Sequence, residues 1–213
     1  MKIGILGTGD VGRVLGAACV TLGHDVMMGS REPDQQKVKD WVAKTGPRAS
    51  SGTFAGAARH CELAIVATRW DGTENALKLA RADNLAGKVV IDATNPLDFS
   101  STPPSLSVSG ADSAGERVQR WLPAAKVVKA FNTVGNPHMF RPDFPSGPPD
   151  MLICGNDPGA KQTVARLLSE FGWPVIDLGG IESSRYLEAL AMIWILEYFN
   201  TKNGNHAFKI LRK

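Results

Sequence analysis

The chain has 213 residues, 43% of them hydrophobic and 21% charged, with a formal net charge of +3. That length suits one domain whose core stands without disulfides or a structural metal, and the small, scattered positive balance excludes a basic face for nucleic acid or an anionic membrane. Cys19, Cys61 and Cys154 lack metal-site spacing, no apolar run is long enough to span a bilayer, and a strand takes the place of a signal peptide, so the expected localisation is cytoplasmic, with the cysteines buried and reduced.

Lys2–Leu6 is a short apolar strand that runs into Gly7-Thr8-Gly9-Asp10-Val11-Gly12. A helical pattern follows through Val14, Leu15, Ala18, Cys19 and Leu22 and stops at Gly23. Asp25–Met28 is the next strand and Gln35–Lys44 a polar helix with Val38, Trp41 and Val42 inward. Phe54–Arg59 is a short helix before the strand Leu63–Ala67. Glu74–Ala82 is a helix and Lys88–Asp92 a strand that stops at Asn95-Pro96. Residues 97–111 are rich in Ser, Pro and Gly and read as a long loop. Ser113 and Glu116 have the spacing of a capping box, which predicts a helix from there to Leu122. Then come a strand at Lys126–Phe131, a Pro-rich loop over 137–149, a strand at Met151–Cys154, a helix at Gly159–Phe171, a strand at Pro174–Leu178, a long apolar helix at Glu182–Phe199 and a tail with room for a short helix.

Apolar strands alternating with helices predict an α/β fold, a doubly wound, mostly parallel sheet covered on both faces. The glycine turn lies between a strand and a helix, where each glycine has a physical reason. Gly7 permits the tight turn, Gly9 lets the backbone approach a pyrophosphate, and Gly12 lets the helix pack close to the strand. The helix N-terminus then meets the phosphates with free N–H groups. The unit is thus a dinucleotide-binding Rossmann domain over residues 1–180, with a small helical C-terminal extension over 181–213 in the same unit. The second strand leads into Gly29-Ser30-Arg31, with no carboxylate at its tip to hold an adenosine ribose. Arg31 is instead suited to a 2′-phosphate through a charge-assisted fork. Ser30 adds a hydrogen bond, Lys37 is near in sequence, and Glu32 lies beyond the tip. The expected cofactor is NADP, as NADPH.

Five motifs occur in order: Gly7–Gly12, Gly29–Arg31, Asp92-Ala93-Thr94-Asn95-Pro96, Val127-Val128-Lys129-Ala130-Phe131-Asn132 and Ile153-Cys154-Gly155-Asn156-Asp157. Together they resemble the NADPH:deazaflavin (coenzyme F-420) oxidoreductase family, over nearly the whole chain. They are similar also to the cytosolic NADPH domain of the STEAP metalloreductases. The resemblance implies NADPH as hydride donor or product and a flavin or deazaflavin as co-substrate. It carries phosphate contacts to Thr8, Gly9, Asp10 and Val11, and 2′-phosphate recognition to Ser30 and Arg31. It places Thr68 and Trp70 near the cofactor, and Asn95, Pro96, Ala130, Phe131 and Asn132 around the nicotinamide. Phe131-Asn132-Thr133 stands where archaeal-type deazaflavin enzymes have a His-containing turn, and there the chain is like the metalloreductase domains.

Hydride transfer needs binding and orientation more than acid–base chemistry, so no catalytic residue and no metal ligand is assigned. Asp92 reads as a cap of the next turn, Lys129 as an ammonium that reaches the strand edge or pairs with a carboxylate, and His138 as a loop histidine. His24, His60 and His206 receive no role. Trp194, Tyr198 and Phe199 read as core or as the interface of a homodimer. Two other functions stay open: reduction of a small imine or carbonyl, and a redox sensor that binds NADPH without turnover and signals through its long loops.

Overall fold

The computed structural model describes residues 1–213. In chain order the elements are β1 (Lys2–Leu6), α1 (Asp10–Thr21), β2 (Asp25–Ser30), α2 (Gln36–Thr45), β3 (Ala49–Thr53), α3 (Phe54–His60), β4 (Leu63–Val66) and α4 (Trp70–Ala80). They continue with β5 (Val89–Asp92), a hairpin of β6 (Leu97–Asp98) and β7 (Ser105–Leu106), α5 (Ala114–Trp121), β8 (Lys126–Lys129), β9 (Met151–Gly155), α6 (Pro158–Glu170), β10 (Val175–Asp177) and α7 (Ser184–Thr201).

The main sheet has the order β10-β9-β8-β5-β4-β1-β2-β3. The chain walks outward from β1 through β2 to β3, then returns to place β4 on the other side of β1. That reversal makes a crevice at the carboxyl ends of β1 and β4, where open α/β sheets bind ligands. All pairs are parallel except β8 with β9, joined in register Val128↔Gly155. An antiparallel neighbour needs no crossover helix, so the chain between them is the Pro-rich loop, with one short 3-10 turn at Asn136–His138.

Side chains from both faces of the sheet are buried. Ile5, Leu15, Trp41, Val128 and Phe171 belong to one core, and Leu6, Phe54, Leu77, Leu85 and Leu187 to the other. All three cysteines are buried thiols. Burial pushes Cys19 up to about 12 and Cys154 up to about 11, so both stay protonated and unreactive.

Several elements differ from the sequence expectation. β3, Ala-Ser-Ser-Gly-Thr, has no apolar alternation; it is an edge strand whose order comes from backbone pairing with β2. α4 begins at Trp70, a full turn before Glu74. The loop over 97–111 contains the β6–β7 hairpin. The tail forms no helix. It runs extended, with the Asp150 N–H donating to the Phe208 carbonyl at 2.9 Å and the Trp194 indole donating to the His206 carbonyl at 2.8 Å. The Ser113 spacing does cap α5: the Ser113 hydroxyl accepts from the Glu116 N–H at 3.1 Å. On α7, Leu187 and Ala191 are buried, whereas Tyr186, Ile193, Leu196 and Tyr198 are exposed. No helix is long and apolar enough to cross a membrane.

Candidate functional site

The parallel strands bring four of the five motifs to one edge, whereas Ile153–Asp157, on the antiparallel β9, runs to the opposite edge, where Asp157 pairs with Lys126 at 3.2 Å. Gly7–Gly12 follows β1, Ser30 ends β2, Thr68 follows β4, Asn95 follows β5 and Asn132 follows β8. A cavity of about 590 Å³ lies there, lined by Gly7, Thr8 and Gly9, by Ser30 and Arg31, and by Thr68.

The glycine turn is built as its residues dictate. Gly7 has φ +134°, and a Cβ on it would run into the Ala67 carbonyl. A Cβ on Gly12 would stand 2.6 Å from the Gly7 carbonyl oxygen, so the first turn of α1 packs directly on the loop. Gly9 differs: a Cβ there meets no protein atom within 4 Å, because it faces open space beside the cavity. Gly9 is also the N-cap of α1 and provides no side-chain cap. The first intrahelical bond is from the Arg13 N–H to the Gly9 carbonyl at 3.0 Å. The N–H groups before it have no partner in the helix, which is the arrangement that binds phosphate.

The second wall carries positive charge. Arg31 and Lys37 both line the cavity, both are exposed, and neither enters an ion pair. The Ser30 hydroxyl accepts from the Glu32 N–H at 3.1 Å, and the Glu32 carboxylate accepts from the Gln35 side chain at 2.5 Å. Glu32 is thereby held on Gln35, and Arg31 is left free. Lys39, two residues from Lys37, is the lysine that reaches Asp34, at 3.8 Å.

Sequence reasoning missed other walls. Gln35, Phe54, Arg69 and Asn75 also line the cavity. Arg69 follows Thr68 in the turn after β4, and its guanidinium lies 5.1 Å from the centre of the exposed Phe99 ring. A start of α4 at Trp70 would have signalled Asn75, one turn into the helix. Trp70 itself is not in the cavity. It stacks on Trp121 of α5, with ring centres 5.5 Å apart.

Asn95, Pro96, Ala130, Phe131 and Asn132 form a second cluster along the same edge, outside the cavity walls. Asn95 Nδ2 donates to the Asn132 carbonyl at 2.7 Å, and Asn132 Nδ2 donates to Asn95 Oδ1 at 3.0 Å. Asn132 Nδ2 donates also to the Leu187 carbonyl at 3.0 Å, which fixes its amide orientation. Its Oδ1 is buried without a hydrogen-bond partner. Phe131 has φ +66°, a strained conformation for a side chain of its size. The turn it makes sends its own ring into the core against Phe171, at 5.6 Å, and presents Asn132 at the sheet edge. The ring of Phe131 has no exposed surface, so its main chain is what reaches this edge. His138 lies beyond it, paired with the Asn205 side chain at 3.0 Å.

A family model described as NADP oxidoreductase, coenzyme F420-dependent, matches residues 2–96. The chain is 32% identical over 206 residues to the F420-dependent NADP reductase of Methanocaldococcus jannaschii, covering 92% of this chain and 91% of that one. It is also 32% identical over 196 residues to metalloreductase STEAP3 of Rattus norvegicus, covering 90% of this chain but only 36% of the metalloreductase. The chain therefore spans about a third of that relative. Among solved structures, one from Arthrobacter sp. FB24, provisionally assigned as an F420-dependent NADP reductase, is 40% identical, superposes with a TM-score of 0.94 and covers all of both chains.

Proposed function

The chain belongs to the coenzyme F420-dependent NADP oxidoreductase family, and from that premise we propose that it exchanges hydride between NADPH and a deazaflavin-type acceptor at the carboxyl edge of its sheet. It is an NADP-dependent oxidoreductase. The observation that carries the choice of donor is the cavity that joins the glycine turn to a lip of two free cations, Arg31 and Lys37. The α1 N-terminus and the bare Gly9 backbone suit the pyrophosphate. Arg31, Lys37 and Ser30 suit the 2′-phosphate that distinguishes NADP from NAD.

Asn95 and Asn132 are read as the nicotinamide end. The support is a buried acceptor, Asn132 Oδ1, that lacks a protein donor. Such an atom costs free energy unless a ligand donor meets it, and the carboxamide of a nicotinamide has one. The bound pair of rings supplies the hydride chemistry. The residues of this chain bind, orient and keep water away, and neither Asn95 nor Asn132 has to gain or lose a proton. Ala130 and Phe131 contribute backbone to that end, and Thr68 closes the cavity beside the glycine turn.

The acceptor is tested by offering NADPH with deazaflavin, FMN and riboflavin in turn and following the nicotinamide absorbance. The expected result is turnover with deazaflavin and slower or no turnover with the flavins. Tight NADPH binding with no turnover on any of them would overturn the reading and favour a redox sensor. Turnover on cyclic imines alone would favour a small-molecule imine reductase.

A further inference from the structure

Lys129 lies in a central strand, has no exposed surface and is not needed to hold the phosphates. Its three ammonium protons have three acceptors: Asp92 Oδ2 at 2.8 Å, the Thr94 carbonyl at 2.8 Å and Glu188 Oε1 at 3.0 Å. Asp92 Oδ1 in turn accepts from the Thr94 N–H at 3.0 Å and its hydroxyl at 2.7 Å. Glu188 is 1% exposed and accepts from the Ala114 N–H at 2.9 Å and the Gly115 N–H at 3.1 Å, the first turn of α5.

Two carboxyl groups, Asp92 and Glu188, share one ammonium in the interior. Burial works against the ammonium, but Asp92 and Glu188 outweigh it and raise the Lys129 pKa above its ordinary value. Burial pushes the Glu188 carboxyl up against the pull of Lys129. The positive end of α5 faces the Glu188 carboxyl. A buried network of this kind adds little net stability over apolar packing, which directs attention to what it holds in place.

It holds the turn that carries Asn95. Lys129 and Asp92 grip Thr94 by its carbonyl, N–H and hydroxyl. The neighbouring residue of α7, Leu187, gives its carbonyl to Asn132. Two consecutive residues of α7 thus reach both halves of the Asn95–Asn132 pair. We propose that Glu188 and Lys129 are positioning residues for the nicotinamide end, and that α7 sets the alignment of the Asn95–Asn132 pair through them. The inference rests on the assignment of that pair to the nicotinamide.

The test compares the wild type with Glu188→Gln, and with the neutral set Asp92→Asn/Lys129→Met/Glu188→Gln, which leaves no buried charge unpaired, in case the single change fails to fold. Three quantities are measured: affinity for 2′-phospho-ADP-ribose, which lacks the nicotinamide; the nicotinamide fluorescence of bound NADPH; and the single-turnover rate of hydride transfer. The expected result is fragment affinity within about twofold of wild type, altered nicotinamide fluorescence, and a transfer rate lowered about 10- to 100-fold, the scale of a misplacement near 1 Å. A folded variant with wild-type fluorescence and rate would overturn the proposal. Equal loss of fragment and NADPH affinity would also overturn it, because the network would then serve the whole fold. If the wild type transfers hydride to no acceptor, the functional reading fails, and the fluorescence comparison still decides the role of Glu188 and Lys129.

Discussion

Replacing Arg31 with alanine is expected to raise the Kd for NADPH about 10- to 100-fold and to leave that for NADH within about twofold, since a hydrogen bond to a charged partner contributes about 1.5–3 kcal/mol. Glu32, the carboxylate next to it, is held by Gln35, and Arg31 has no ion pair of its own. An unpaired guanidinium on a cavity wall has its hydrogen-bonding fork free for an anion. NADH has no 2′-phosphate to meet that fork, so its affinity does not draw on Arg31. Parallel titration of both dinucleotides checks the point, and an equal loss for the two would assign Arg31 to the pyrophosphate or to the fold instead.

Gly9→Val is expected to fold as the wild type does and to lose dinucleotide affinity about 100-fold or more, through lost charge-assisted bonds between the α1 N-terminus and phosphate. Gly9 has φ −72° and ψ −179°, a conformation open to valine. Its Cβ direction is clear of protein atoms. The melting temperature should therefore move by no more than about 2 °C, while the added side chain occupies the space beside the cavity. Gly7→Val is the contrast. There a positive φ and the Ala67 carbonyl both oppose a side chain, and a loss of about 3 kcal/mol or more in stability is expected. Calorimetry with cofactor titration separates the two. A Gly9→Val variant that binds NADPH normally would remove the glycine turn from the phosphate site.

That Gly9 and Arg31 share one cavity was legible in the sequence because their signals are local. A glycine turn between strand and helix, and a strand tip without a carboxylate, need only neighbouring residues to be read. The parts that were not legible depend on pairings across the fold. β3 has a polar sequence and is ordered by β2. Trp70 follows β4 as a cofactor neighbour would, but Trp121 from a distant helix takes its ring. Gln35, Phe54 and Asn75 line the cavity because three separate segments converge there. Lys129 was expected to reach the strand edge or to pair with a carboxylate, and it pairs with two. That one partner is Asp92 at the end of the adjacent strand, and the other Glu188 on the last helix, follows from strand order and the packing of α7 on α5, which no local spacing encodes.

The two clusters on the sheet edge give the site its division of labour. On the proposed reading, the cavity side, with Gly9, Arg31 and Lys37, selects the donor by charge and shape, and the Asn95–Asn132 side, braced by α7, governs ring alignment. Affinity and rate should accordingly respond to different residues, with Arg31 acting on the first and Glu188 on the second.

The most direct test of the account is the fate of the hydride itself. NADPH deuterated at the transferring position of the nicotinamide is mixed with oxidised deazaflavin and the protein, and the product is examined for label. A deazaflavin accepts hydride at carbon, where the label does not wash out into water. Deuterium is expected on the acceptor in proportion to NADPH consumed. NADPH that stays bound and unconsumed, or is oxidised with its deuterium lost to solvent, would contradict it.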